Sequence, residues 1–214
     1  MEIKTYNFST IGFAELKQIV DIYPKLDEKK FEKWFSFDYK FSESERFFLE
    51  DLIKKHKLWL SFYQEETLKV KFIGAILNSV DFTGEGFRDW YDVQIAGTVN
   101  GIELKGYADY LVAKGDFLPE KPYFFIQEFK PSIPDKNPEP QLLAEMLVCL
   151  QSNELTQFYG AYVIGQYWKF VILEKATQNT YTYVVSEAFD ALKIADLTKI
   201  YTILQATKAF FGKK

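Results

Sequence analysis

The spacing of apolar residues changes near Trp90 from a pattern typical of helices to one typical of strands. Before Trp90, apolar residues recur three or four positions apart, which places them on one face of a helix. Ser42 is followed three residues later by Glu45, the capping-box pattern that marks a helix start. The predicted helices of this half cover residues 13–20, residues 27–35, a segment that begins at Ser42, and residues 64–77.

After Trp90, apolar and polar residues alternate up to the dipeptide Asn100-Gly101. Asn-Gly between two alternating runs predicts a tight β-hairpin, with its second strand over 102–112. Residues 122–130 are apolar on both faces, as expected for a central strand buried on both sides. The remaining predicted elements are a helix over 141–151, strands over 160–165, 167–173 and 180–185, and a last helix over 186–211.

This succession of elements predicts an α/β fold with a mixed central sheet flanked by helices. A chain of 214 residues is long enough for one domain. We expect residues 1–60 to form a helical extension packed on an α/β core of residues 61–214.

Composition narrows the functional classes. Hydrophobic residues make up 48% and charged residues 26%, as in ordinary globular proteins. A net charge of -4 gives no sign of the basic stripe that non-specific nucleic-acid binders usually carry. Because Cys149 and His56 are the sole cysteine and histidine, a disulfide, a cysteine zinc site and a Ser-His triad are not expected.

The sequence also bears on localisation. The first residues lack the basic and apolar regions of a signal peptide, and no run approaches the roughly 20 apolar residues that span a bilayer. We therefore expect a cytoplasmic protein that is not inserted in a membrane.

Three charged residues near the ends of neighbouring predicted strands are candidates for chemistry. Asp109 lies near the end of the second hairpin strand, and Glu128 and Lys130 end the next strand. Residues two apart in a strand project from the same face, so Glu128 and Lys130 point the same way. Asp109 and Glu128, with the carbonyl of Phe129, would offer the hard oxygen ligands that Mg²⁺ prefers. Lys130 could orient a water molecule or stabilise a phosphate in the transition state.

These residues and their order resemble the PD-(D/E)XK nuclease superfamily, the restriction-endonuclease-like fold. The resemblance covers the order helix, three strands, helix, strand from about Glu65 to Leu173. It includes the Asp of Gly106-Tyr-Ala-Asp109, the motif Glu128-Phe-Lys130, and Gln141 on the second helix.

The resemblance implies DNA phosphodiester hydrolysis with Mg²⁺ or Mn²⁺. Asp109 and Glu128 would bind the metal, Lys130 would be catalytic, and Gln141 would contact the site or the DNA. An acid on the first helix would join them, and Glu66 is preferred here over Glu65.

Two positions depart from the family pattern. The usual proline before the aspartate is Ala108, and Gln141 is followed by Glu145 where the RecB-like subtype has tyrosine. That subtype is therefore not supported.

Other interpretations of the same residues stay open. Glu128 and Lys130 could form a sheet-edge ion pair, worth about 0–1 kcal/mol if exposed, and Asp109 could cap a turn. The fold could also serve a catalytically inactive nucleic-acid- or protein-binding module. Candidate phosphate contacts are Lys69, Lys105, Lys114 and Lys136, although a solvated surface lysine is the preferred interpretation of each.

Overall fold

The computed structural model describes residues 4–84 and 86–211. The helices are α1 (Phe13–Ile19), α2 (Glu32–Phe35), α3 (Glu43–His56), α4 (Glu65–Leu68), α5 (Gly74–Val80), α6 (Glu139–Ser152) and α7 (Ile194–Phe211). A π-helical turn, Lys69–Ile73, joins α4 to α5 without a break. Across the described residues, no helix combines the length and apolar character needed to cross a membrane.

Within the described residues, nine strands form one curled mixed sheet. They are β1 (Thr5–Asn7), β2 (Asp21–Pro24), β3 (Arg88–Val99), β4 (Ile102–Lys114), β5 (Glu120–Lys130), β6 (Gln157–Ile164), β7 (Tyr167–Lys175), β8 (Thr180–Val185) and β9 (Phe189–Asp190). Hydrogen-bonded neighbours follow the path β1-β4-β5-β6-β7-β8-β2, and β3 also pairs with β4 and β9 with β7. Strands β3, β4 and β5 form an antiparallel meander, and β6 lies parallel to β5.

Strand β4 has an unusual pair of edges. Strand β3 pairs with it along almost its whole length, whereas β5 and β1 share the opposite edge one after the other. The register between β4 and β5 stops at Tyr110↔Gln127, and β1 takes up pairing only at Lys105. The edge between these two points is unpaired and holds Asp109.

Two apolar layers cover the sheet. One contains Leu68, Phe72 and Ile76 of the α4–α5 helix together with α7 and the Phe125 and Phe129 side chains of β5. The other contains α6 and α1 and the opposite face of the sheet, including Ile126 and Leu111. Strand β5 is therefore covered on both sides, and its polar end lies against α6.

Several local predictions are confirmed. Ser42 accepts a hydrogen bond from the Glu45 backbone N–H at 3.2 Å, and the Glu45 carboxylate caps the Ser42 backbone N–H. Asn100 and Gly101 both have positive φ, 51° and 78°, which is the backbone that a tight antiparallel hairpin needs. The mixed α/β class of the fold is also confirmed.

Other local predictions need correction. The last helix begins at Ile194 and not at Ser186, because residues 189–190 pair with β7 first. The segment before residue 60 is not only helical. Its two short strands, β1 and β2, pair in parallel with β4 and β8, and Trp34 is buried in the same core as Phe125.

Candidate active site between strands β4 and β5

The three strand residues singled out by the sequence come together where β4 and β5 separate. The Asp109 Oδ2 atom accepts a 2.7 Å hydrogen bond from the Phe129 backbone N–H, which bridges the two diverging strands. The Glu128 Oε1 atom accepts a hydrogen bond from Lys130 Nζ. Lys130 also donates to the Phe129 carbonyl oxygen at 3.0 Å. Asp109, Glu128, Phe129 and Lys130 thus form one contiguous polar group.

This group is buried enough for its electrostatics to matter. Glu128 is only 1% exposed, and the side chains of Asp109 and Lys130 are 13% and 18% exposed. Burial raises the pKa of Glu128 well above its ordinary value, and the neighbouring Asp109 charge adds to the effect. Burial alone would lower the pKa of Lys130, but Glu128, Asp109 and Glu65 together outweigh burial and raise that pKa. Lys130 is therefore an ammonium group at neutral pH.

Helix α6 adds two residues to the site. The Gln141 side-chain amide donates to Glu145 Oε1 at 3.2 Å, which the four-residue spacing on a helix permits. Glu145 is fully buried, and its pKa is raised well above the ordinary value by burial first and by the Glu128 charge second. A charge on Glu128 therefore disfavours ionisation of the Glu145 carboxyl group.

The α4–α5 helix contributes a cation that the sequence did not place in the site. Lys69 is 4% exposed, and its Nζ lies 3.0 Å from Asp109 Oδ1 and 2.6 Å from Asp92 Oδ1. Burial lowers the pKa of Lys69, but the Asp109 and Asp92 carboxylates outweigh it, so the net shift is upward. For Lys69, the interpretation as a solvated surface lysine is wrong.

Lys69 is the first residue of the π-helical turn and shares its buried face with Phe72 and Ile73. Single π-helical turns inside α-helices are frequent at functional sites. Gly74 closes this turn tightly, because a Cβ added there would lie 2.8 Å from the Lys69 carbonyl oxygen. A larger residue at position 74 would therefore push against the backbone of Lys69.

The first-helix acid that lies nearer to Lys130 is Glu65 and not Glu66. Glu65 Oε2 lies 3.6 Å from Lys130 Nζ, whereas the Glu66 carboxylate is 77% exposed and lies 3.9 Å from Lys69 Nζ. Burial raises the pKa of Glu65, as does the Asp109 charge, whereas Lys130 opposes the shift. Glu66, the acid preferred from the sequence, thus lies at the exposed edge of the group, and Glu65 lies closer to Lys130.

Two of these additional residues had a signal in the sequence. Glu145 lies four residues after Gln141, on the same helical face, and Glu65 directly precedes the preferred Glu66. Lys69 and Asp92 had no such signal, since their contacts depend on how the α4–α5 helix packs on the sheet and on the pairing of β3 with β4.

No family model and no curated protein matches this chain. The functional conclusion therefore depends on the geometry and chemistry of the residues themselves.

Two buried oxygen atoms of the site are candidate donors for a hard cation. Glu128 Oε2 and Glu145 Oε2 are buried carboxyl oxygens without a hydrogen-bond partner among the described residues. Such atoms are costly unless another group binds them. The carboxyl groups of Asp109, Glu128, Glu145 and Glu65 lie around the ammonium groups of Lys69 and Lys130. Burial raises the pKa of Glu128 and of Glu145, and a bound cation would favour their ionised forms.

The described residues contain no group of three or more His, Cys, Asp or Glu side chains arranged to hold a metal ion. The donor set of Asp109, Glu128 and the Phe129 carbonyl holds only two acids. Mg²⁺ commonly binds one or two protein carboxylates and completes its shell with water and substrate phosphate. A two-acid site is therefore compatible with Mg²⁺, though not with a metal that requires a full protein cage.

Proposed function

We propose that this protein is a nuclease of the PD-(D/E)XK type that hydrolyses phosphodiester bonds of DNA with Mg²⁺ or Mn²⁺. The observation that carries the proposal is the convergence of Asp109, Glu128 and Lys130 where β4 and β5 separate. The succession of the α4–α5 helix, the β3–β5 meander, α6 and the parallel strand β6 supports the restriction-endonuclease-like interpretation.

Asp109 and Glu128 would hold the cation, together with the carbonyl oxygen of Phe129. A bound Mg²⁺ supplies an acidified water and neutralises charge on the attacked phosphate. In this proposal Glu145 supports Glu128 from α6, and Gln141 fixes the Glu145 carboxyl group through its hydrogen bond.

Lys130 has a narrower role than a general base. Its raised pKa keeps it protonated, so it can donate hydrogen bonds but cannot remove a proton from water. We assign it to orient the attacking water and to stabilise the charge that develops on the phosphate oxygens. Glu65, 3.6 Å from the Lys130 ammonium, holds that ammonium from the other side.

A second candidate function is a catalytically inactive module that binds nucleic acid or protein through the same fold. The observation that favours it is Lys69, whose ammonium lies 3.0 Å from Asp109 Oδ1 and supplies a positive charge that a metal would otherwise supply. A fold can keep its structure after losing its chemistry.

Cleavage assays separate the two candidates. Labelled single- and double-stranded DNA and RNA would be incubated with the protein in Mg²⁺, in Mn²⁺ and in a chelator. We expect metal-dependent cleavage of DNA that falls on the order of 100-fold or more in Glu128→Gln and in Lys130→Met.

Strand β5 supplies matched controls, because Glu120 and Lys121 are exposed at its other end. Glu120→Gln and Lys121→Met should cleave like the parent. If the parent and Glu128→Gln release the same small amount of product in every buffer, the enzyme proposal fails and the binding module is favoured.

A further inference from the structure

The turn between α3 and α4 exposes large apolar side chains. Leu58 is 75% exposed, Trp59 60% and Phe62 75%, within five residues of one another. Leaving side chains of this size in water forgoes about 1.5–3 kcal/mol each relative to burial. A cluster of this kind on a surface usually marks a site of interaction.

These side chains are displayed on a rigid turn. The backbone N–H groups of Trp59 and Phe62 donate to the carbonyls of His56 and Trp59 at 3.0 and 2.9 Å. Leu60, between the two aromatic residues, is fully buried and anchors the turn in the core. The backbone that carries Trp59 and Phe62 is therefore already formed and loses little freedom on binding.

The end of α3 and the turn that follows it are basic within an acidic protein, although Lys55 pairs with Asp51 of the same helix. Residues 52–63 include three lysines and a histidine but no acid, although the whole chain carries a net charge of -4. Lys54 and Lys57 are exposed and make no ion pair within the described part of the chain. Lys71 lies alongside, with its Nζ 5.9 Å from the centre of the Tyr63 ring.

We propose that this aromatic–basic surface (Leu58, Trp59 and Phe62 with Lys54, Lys57 and Lys71) binds single-stranded nucleic acid. Exposed aromatic rings stack on unpaired bases, and each stack contributes about 1–3 kcal/mol. The lysines would contact the phosphates of the same strand. A purely apolar partner would leave the lysines without a counter-charge, and a duplex would hide the base faces from the rings.

The turn that carries this surface is connected along the chain to the proposed active site. Glu65, which lies near Lys130, follows Tyr63 by two residues, so the turn leads directly into the helix that lines the site. The inference names the substrate class of the proposed nuclease and rests on that proposal for the choice of nucleic acid as partner. Binding can nevertheless be measured without cleavage.

The test is fluorescence anisotropy with the full chain in a chelator, so that no metal-dependent cleavage occurs. The probes are single-stranded DNA and RNA of about 15 nucleotides, the matching DNA duplex, and vesicles containing anionic lipid. We expect the single strands to bind, the duplex to bind at least about tenfold more weakly, and the vesicles not to bind. The combined change Trp59→Ala with Phe62→Ala should weaken strand binding on the order of tenfold or more.

A matched control lies in the β4–β5 loop, where Phe117 and Leu118 are 96% and 72% exposed. Phe117→Ala with Leu118→Ala removes similar exposed area and should leave binding unchanged. Lys57→Glu should weaken binding and make the dependence of the dissociation constant on salt shallower, by about 0.7 in the logarithmic slope for each phosphate that the protein no longer neutralises. Thermal unfolding of each variant checks that the fold is intact.

Equal binding by the parent and the Trp59/Phe62 variant would overturn the proposal. Equal affinity for strand and duplex, or binding to vesicles alone, would overturn it as well. Failure of the proposed nuclease would give a different result. A protein that binds single strands through Trp59 but cleaves with no metal would support the binding surface and overturn the nuclease proposal.

Discussion

The buried ammonium of Lys69 makes a quantitative prediction for Lys69→Met. Methionine fills most of the lysine volume but removes the charge that faces Asp109 and Asp92. Breaking a buried ion pair by removing one partner costs about 3–5 kcal/mol, because the other charge is left uncompensated. Asp109 keeps its hydrogen bond from the Phe129 N–H, so the expected cost lies near the lower end, about 3 kcal/mol.

The exposed partner provides the control. The Asp92 side chain is 59% exposed, so Asp92→Asn should cost at most about 1 kcal/mol even though its hydrogen bond to Lys69 is the shorter one. A difference of about 2 kcal/mol between the two variants would show that burial, and not distance, sets the contribution.

The assay is equilibrium unfolding in urea at neutral pH. With a slope of about 2–3 kcal/mol per molar urea, Lys69→Met should lower the midpoint by about 1 M. The double variant Lys69→Met with Asp109→Asn removes both charges. Its loss of stability should therefore be smaller than the sum of the losses in the two single variants. A loss below about 1 kcal/mol for Lys69→Met, or simple additivity, would refute the reasoning.

The pH dependence of this pair has a definite sign. The pKa of Lys69 is raised in the folded protein, so its contribution is full below the ordinary value of 10.5. It is lost only as the pH rises through the higher folded-state pKa. The cost of Lys69→Met should therefore be the same at about pH 6 and pH 9.

Three further variants test other parts of the fold. The folded-state pKa of Glu145 is raised, so its contribution to stability is full below 4.5 and is lost as the pH rises through the folded-state value. Between about pH 5 and pH 8, the free energy of unfolding should therefore decline less steeply for Glu145→Gln than for the parent. Equal slopes would contradict this. Alanine is favoured over glycine in helices by about 1 kcal/mol, but Gly74→Ala should destabilise by about 1–2 kcal/mol in urea unfolding because its Cβ would meet the Lys69 carbonyl. Trp34, whose ring N–H donates to Thr207 at 2.9 Å, is 2% exposed, so Trp34→Ala should cost about 3–5 kcal/mol in one cooperative transition, and a separate early transition would contradict the shared core.

Local sequence signals predicted the parts of the fold that depend on nearby residues. The capping box at Ser42 and the hairpin turn at Asn100-Gly101 are each set by a few adjacent residues, and both are present. The apolar character of residues 122–130 on both faces correctly predicted a central strand. These features need no partner from elsewhere in the chain to be recognised.

The sequence could not predict features that depend on remote partners. Strand β1 has only three residues and is defined by pairing with Glu103 to Lys105. Lys69 lies in a run whose apolar spacing fits an ordinary helix, and its contact with Asp109 exists only once that helix packs against the sheet. The residues that the strands supply to the candidate site were therefore predicted from the sequence. The prediction was incomplete for the lysines and acids that the helices supply.

The two parallel strands near the N-terminus also have a consequence for biosynthesis. Thr5 lies opposite Glu103, and Ile22 lies opposite Tyr181, so each early strand must wait for a partner made much later. During translation, β2 emerges from the ribosome first and can pair only after β8 has followed. Contacts between such distant positions slow folding, since the closure of a long loop precedes any gain. Nascent chains stopped before residue 180 should therefore leave residues 21–24 sensitive to protease, while the hairpin of β3 and β4 is already protected.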